Sequence, residues 1–260
     1  VTVPPLRSSV FQDTRPIEQY RQGAYSPESY ALLVSIRQRS YLRRLVRTSF
    51  TDRRPVQHDY GCGTGRALRL LQGMVREAHG YDTSSEVVQA ARESGLHARL
   101  HEIPSSDPAP EPAPAERPSI VTVFRPVRYA PGEPRGQAIE FAARALPSYD
   151  SGLLVLEQQG GGNPLRRLRR GRERVDPWLG YPSGAQVTAV LRRYGFTIVA
   201  RHACAMFPIG AYRSRLLRPL VHRLDNLLCR LEILSRFAVI ALHVARRNPP
   251  SAKPHRSIGT

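Results

Sequence analysis

Short apolar runs alternate with amphipathic stretches along most of this chain. From residue 27, Tyr30, Leu33, Val34, Tyr41, Leu42 and Leu45 recur at helical spacing with the stem of Arg37 among them, predicting a helix that ends near Arg47. Strands are predicted at 55–60, 76–82, 98–103 and 119–124, and the β-branched run of the last suits a sheet covered on both faces. Helices are predicted at 66–72 and at 84–94, the second opened by a Thr83-x-x-Glu86 capping box and stopped by Gly95. A helix at 135–146 and a strand at 152–157 follow. The capping box Ser183-x-x-Gln186 then opens a helix that closes at Gly195, ahead of a strand at 196–203. A final strand is expected near 237–245. This alternation of strand and helix predicts the α/β class.

Three stretches interrupt the pattern. Residues 1–27 are rich in Pro, Arg and Gln without periodicity and read as an N-terminal arm; 247–260 read as a disordered tail. Six prolines between Pro104 and Pro118 predict an extended loop. Between the last two strands, an insert at about 205–235 places Leu216, Leu217, Leu220, Val221, Leu224, Leu227, Leu228, Leu231 and Leu234 on one helical face. Arg215, Arg218, Arg223 and Arg230 take much of the other, and Pro219 suits the first turn. Such a helix is expected to pack its leucines on its own domain as a lid, with contact to an anionic membrane as the alternative.

Composition adjusts this picture in two places. The chain carries 39 Lys+Arg against 21 Asp+Glu, a net +18, which suits an anionic partner such as nucleic acid. All but one of those cations, Lys253, are arginine, and with abundant Ala, Pro and Gly this skew points to compositional bias rather than a dedicated nucleic-acid module. The odd cysteines Cys62, Cys204 and Cys229 fit neither a disulfide framework nor metal-ligand spacing. With no apolar run of about 20 residues and no charged-then-apolar leader at the start, a reduced, cytoplasmic protein is expected.

The candidate chemistry lies in Asp59-Tyr60-Gly61-Cys62-Gly63-Thr64-Gly65, followed by Gly80-Tyr81-Asp82-Thr83-Ser84. Glycines at alternate positions after a strand let backbone approach a ligand closely, and an acid ending the next strand suits ribose hydroxyls. The spacing is G-x-G-x-G, without the later glycine of a dinucleotide site. It resembles motif I of class I S-adenosylmethionine-dependent methyltransferases, and the Asp82 segment resembles their next motif, over about residues 55–95. The resemblance implies a Rossmann-like, mostly parallel seven-stranded sheet with helices on both faces and an antiparallel last hairpin. An N-terminal helix would precede it and a helical insert would precede the last strand, within a methyltransferase domain spanning 28–246.

It further implies S-adenosyl-L-methionine as cofactor, with Gly61, Cys62, Gly63 and Gly65 lining its methionine and ribose portion. Asp82 and the adjoining Thr83 would face the ribose, Asp59 would orient the loop, and Arg39 lies near where some relatives place an arginine toward the methionine carboxylate, with a solvated arginine as the alternative. Glu102 is the nearest candidate for the adenine amino group, with His101 or Asp107 as rivals. Cys62 is read as a small loop residue, not a nucleophile. Ser119 stands where relatives commonly carry an acid, and Arg125-Pro126 departs from the family pattern. Arg125 and Tyr129, after strand four, are the catalytic candidates, and no metal site is expected. The run from Arg166 to Arg174 could grip an anionic group, and Trp178 could floor a pocket. A small or lipid-like acceptor is the leading expectation. RNA methylation, favoured by charge, and a non-catalytic binding role stay open.

Overall fold

The structure is a computed structural model, and it describes residues 30–103, 112, 118–124, 133–159, 163–164, 183–212 and 216–249. Chain order begins with α1 (Tyr30–Ser49), β1 (Val56–Tyr60), α2 (Arg66–Leu71), β2 (Glu77–Asp82) and α3 (Ser85–Glu93). It continues with β3 (Arg99–Glu102), β4 (Ser119–Val123), α4 (Glu133–Ala145) and β5 (Gly152–Gln159). The last elements are α5 (Gly184–Arg193), β6 (Phe196–Ala205), α6 (Arg218–Arg230), a 3-10 segment (Glu232–Phe237) and β7 (Ile240–Arg247).

The strands form a single sheet in the order β3-β2-β1-β4-β5-β7-β6. The first five are mutually parallel, while β7 runs antiparallel to both β5 and β6. This is the expected α/β, Rossmann-like sheet with its antiparallel last hairpin. The order reverses between β1 and β4, so their carboxyl ends diverge and leave a crevice, the place where open α/β sheets bind ligands.

Both faces are covered, and the central strands are buried although β1 carries Gln57, His58 and Asp59 among its five residues. β1 and β4 are buried along their whole lengths. Along β5, Leu153 and Val155 join the cluster beneath α1 and α2, which includes Val34, Leu42, Val46, Ala67 and Leu71. Leu154 and Leu156 point the other way, into the cluster of Phe141, Leu146, Leu191 and Phe196 under α4 and α5. The α1 face repeats every fourth residue through Val34, Gln38, Leu42 and Val46. A glutamine in that stripe is the first sign that α1 does more than pack.

Two local expectations need correction. The cap of α3 is Ser84, not Thr83: the Ser84 hydroxyl oxygen accepts from Val87 N–H and its O–H donates to Glu86. The final strand starts at Ile240, since Phe237 closes the 3-10 segment. The Ser183/Gln186 capping box forms as expected, each side chain accepting from the other's backbone N–H.

Candidate active site

The turn after β1 is a chain of left-handed glycines. Gly61, Gly63 and Gly65 have φ of 69°, 53° and 84°, values that L side chains rarely adopt. Gly61 N–H and Cys62 N–H both donate to Tyr81 O, at 2.8 and 3.0 Å, so β2 carries the loop on its last turn. Gly65 N–H closes back on Cys62 O at 2.9 Å. A Cβ at Gly63 would meet no atom within 4 Å, so the loop presents bare backbone to open space at the carboxyl edge of the sheet. That is the cradle a bound ligand's polar groups need.

Asp82 ends β2 directly beside this loop. Its Oδ2 accepts from Gly63 N–H at 2.7 Å and its Oδ1 from Ser84 N–H at 3.2 Å. Burial raises its carboxyl above the ordinary aspartate range, against the lowering effect of the Gly63, Ser84 and Thr83 backbone groups. The capping pattern in the sequence implied a carboxylate free of local bonds. Instead it is already engaged by backbone, and only its remaining acceptor capacity is open to a ligand.

Asp59 lies one strand inward, fully buried, where its Oδ1 accepts from the Thr122 hydroxyl at 2.7 Å. Burial pushes its carboxyl up to about 7, with the Thr122 bond and the Arg66 charge opposing. Its contact joins β1 to β4 across the crevice. Cys62 is buried, and burial drives its thiol far above the usual range, which removes the thiolate a nucleophile would need.

Glu102 is exposed at the end of β3, the register partner of Asp82. His101 is committed elsewhere: its ring stacks on Tyr81 at 4.8 Å and lies 3.2 Å from His79 Nδ1. Thr83 is exposed at the same edge, and Arg39 stands in solvent on α1. Arg125, Tyr129, Asp107, Trp178 and the Arg166–Arg174 run lie outside the described residues.

A buried polar frame that no sequence motif marks stands beside the loop. Arg66, the first residue of α2, pairs with Glu157 near the end of β5. Gln38 of α1 completes a triangle, donating to Glu157 Oε2 at 2.8 Å and accepting from Arg66 Nη1 at 3.2 Å. Glu157 and Gln38 are both buried. An acid inside an apolar strand and a glutamine inside an apolar helical stripe were the available signals. Away from the loop, a cleft of about 470 Å³ opens beside β5 and β7, lined in part by Gln158, His243, Arg192 and Arg201. Among the described residues no group of three or more acidic, His or Cys side chains is placed to hold a metal.

No protein-family model matches the sequence, and no curated protein matches it. Many solved structures share the fold. Magnesium protoporphyrin IX methyltransferase from Synechocystis PCC 6803, solved with SAH bound, aligns with TM-score 0.57 at 14% identity, over 90% of this chain and 95% of that one. The same enzyme with SAM bound gives 0.55 at 14%, over 95% and 100%. A SAM-dependent methyltransferase from Archaeoglobus fulgidus gives 0.55 at 15%, over 90% and 100%. The chain therefore has the class I SAM-dependent methyltransferase fold.

Proposed function

We propose that this protein is a methyltransferase that uses S-adenosyl-L-methionine and acts on a small or lipid-like acceptor. The observation that carries the reading is the pairing of Asp82 with the open glycine loop, 2.7 Å from Gly63 N–H, at the carboxyl edge of β1 and β2. In this reading Gly61, Cys62, Gly63 and Gly65 line the methionine and ribose portion of the cofactor. The remaining acceptor capacity of Asp82 takes the ribose hydroxyls, Thr83 adjoins the ribose, and Glu102 serves the adenine amino group. Asp59 holds β1 to β4 and so sets the angle at which the loop leaves the sheet.

The bound cofactor supplies an activated methyl group on a positively charged sulfur. The chain's own task is to align an acceptor in line with that group, which can be worth about 7 kcal/mol or more of the barrier. The α1 helix packs beside the loop through Gln38, which bonds both Glu157 and Arg66, and in this reading Arg125 and Tyr129, which follow β4 in the sequence, serve the acceptor. Those two are the proposed acceptor-side residues. The net charge of +18 favours RNA as the second acceptor class.

Calorimetric titration with S-adenosylmethionine and its demethylated product tests the cofactor, with micromolar binding expected. A labelled-methyl screen against a lipid extract, a small-molecule extract and total RNA tests the acceptor. Absence of cofactor binding would overturn the proposal, and label incorporated into RNA alone would replace the acceptor class.

A further inference from the structure

The helix α6 buries a polar anchor and leaves most of its leucines exposed. Its buried residues are Asp225 and Cys229; of the leucine stripe expected to face the domain, Leu228 and Leu234 pack inward half-buried, while most of the others stand in solvent. Leu216 is 92% exposed, Leu220 64%, Leu227 57%, and Ile233 of the following 3-10 segment 74%. Among the described residues, eight of the twelve large apolar side chains standing in solvent fall within 216–237. Contiguous apolar surface of this kind marks a binding face, because a soluble surface normally scatters such residues.

The orientation is fixed by polar anchors on the inner face. Asp225, fully buried, pairs with Arg37 of α1, accepts from Met206 N–H at 2.7 Å and accepts from the Tyr212 hydroxyl. Arg37 also donates to Asn226 Oδ1 at 2.5 Å and to Cys204 O at 2.9 Å. Turning the leucines inward would pull Asp225 away from these partners, so the exposed stripe belongs to the folded state.

The charges around the stripe select what meets it. Arg223 and Arg230, two turns apart, are exposed along one flank, and Arg236 is exposed at the end with its guanidinium 4.7 Å from the Phe237 ring. Glu232 is the single exposed acid within 216–237, since the other acid, Asp225, is buried. A second copy of this strongly basic chain would set arginine against arginine. Leucines ranked beside exposed arginines, on a helix of about 20 Å, match a plane of acyl chains under anionic headgroups. No described helix is long and apolar enough to cross a membrane, so the contact lies in the plane of the surface.

We propose that α6 and the 3-10 segment after it form a membrane-docking face for anionic lipid surfaces. The inference rests on this helix and its anchors and stands apart from the methyl-transfer reading. Because Arg37 holds α6 and the neighbouring Gln38 holds the Arg66–Glu157 pair, docking sets the candidate site at a fixed distance from the lipid.

Co-sedimentation with vesicles of phosphatidylcholine alone, and of phosphatidylcholine mixed with phosphatidylglycerol, tests it on the full chain. The protein is expected to partition onto the anionic vesicles at least about tenfold better than onto the neutral ones. The Leu220→Asp/Leu227→Asp variant should lose about tenfold or more of that binding, and Arg223→Ser/Arg230→Ser should weaken its salt dependence. Both pairs lie on the exposed face, and circular dichroism verifies that each variant is folded. Equal sedimentation of the wild type and the leucine variant would overturn the proposal. So would a wild-type protein that ignores vesicles, including one whose dimerisation in ultracentrifugation is lost in the leucine variant. Cofactor titration of the same proteins keeps the two readings apart: loss of vesicle binding with cofactor binding retained, or the reverse, assigns the failure to one of them.

Discussion

Asp82 Oδ2 accepts a hydrogen bond from Gly63 N–H at 2.7 Å, tying the acid at the end of β2 to the middle glycine of the loop after β1. One carboxylate thus holds the loop in its left-handed path and, in the proposed reading, also receives the ribose hydroxyls. Replacing it separates those roles.

Asp82→Ala is expected to weaken S-adenosylmethionine binding about 10- to 100-fold, from losing roughly 1.5–3 kcal/mol of charge-assisted hydrogen bonding. Loss of the Gly63 and Ser84 bonds should also lower stability, by about 1–2 kcal/mol. Calorimetric titration measures the first and urea unfolding the second. Unchanged affinity would remove Asp82 from the ligand site while leaving its loop-holding role.

Gly63→Val tests the loop without touching the core. A Cβ there meets nothing within 4 Å, so the fold should survive at the cost of strain at φ 53°, about 1–3 kcal/mol. The added side chain would occupy the open space, and cofactor binding should be abolished. Folded protein by circular dichroism with full affinity would place the ligand elsewhere.

Arg66 and Glu157 should behave as a buried pair. Arg66→Ala removes the guanidinium from an acid that is 2% exposed, and is expected to cost about 3–5 kcal/mol. The double replacement Arg66→Met/Glu157→Leu should recover more than half of that, because no charge is then left buried. A urea-unfolding cycle over the two single variants and the double gives the coupling. Simple additivity would show that the pair is not energetically linked.

Acid should weaken the fold partly through His202. Burial first, then the Arg44 and Arg37 charges, depress its imidazole to about 4, below the 6.5 of the unfolded chain. Folding therefore favours the neutral ring: its contribution is whole above pH 6.5 and is lost as pH falls from there through about 4. His202→Phe keeps a ring against Tyr41, where the two now stack at 4.0 Å, but cannot take the proton. Between pH 7 and 4 the variant should lose about 1–2 kcal/mol less than the wild type, allowing for the ring's partial exposure. Parallel urea midpoints across that range would exclude His202 from the acid transition.

The parts legible in the sequence were those set by neighbours along the chain. The strand-to-glycine turn, Asp82 at the end of β2 and the Ser183/Gln186 cap depend on φ restrictions and hydrogen bonds that reach only a few residues. Strand and helix periods likewise predicted all seven strands, with ends misplaced where a 3-10 turn or the Ser84 cap redefined them. Even the amphipathic character of α6 was plain.

Which face of α6 turns inward was another matter. Periodicity shows that a helix has two faces but not which of them the fold will bury, and the usual preference for burying leucine holds here for Leu228 and Leu234 but not for most of the stripe. The outcome was decided by Asp225 meeting Arg37, 188 residues away in sequence, and Tyr212 and Met206 backbone in one pocket. The Arg66–Glu157–Gln38 triangle was equally hidden, because its members are 91 and 119 residues from Glu157 and each alone looks like a polar residue in an apolar element. A buried charge is tolerable only beside its partner. That partner is chosen by the tertiary arrangement, so the sequence determined the sheet and the loop, and only the packed structure decided which surface was left for the outside.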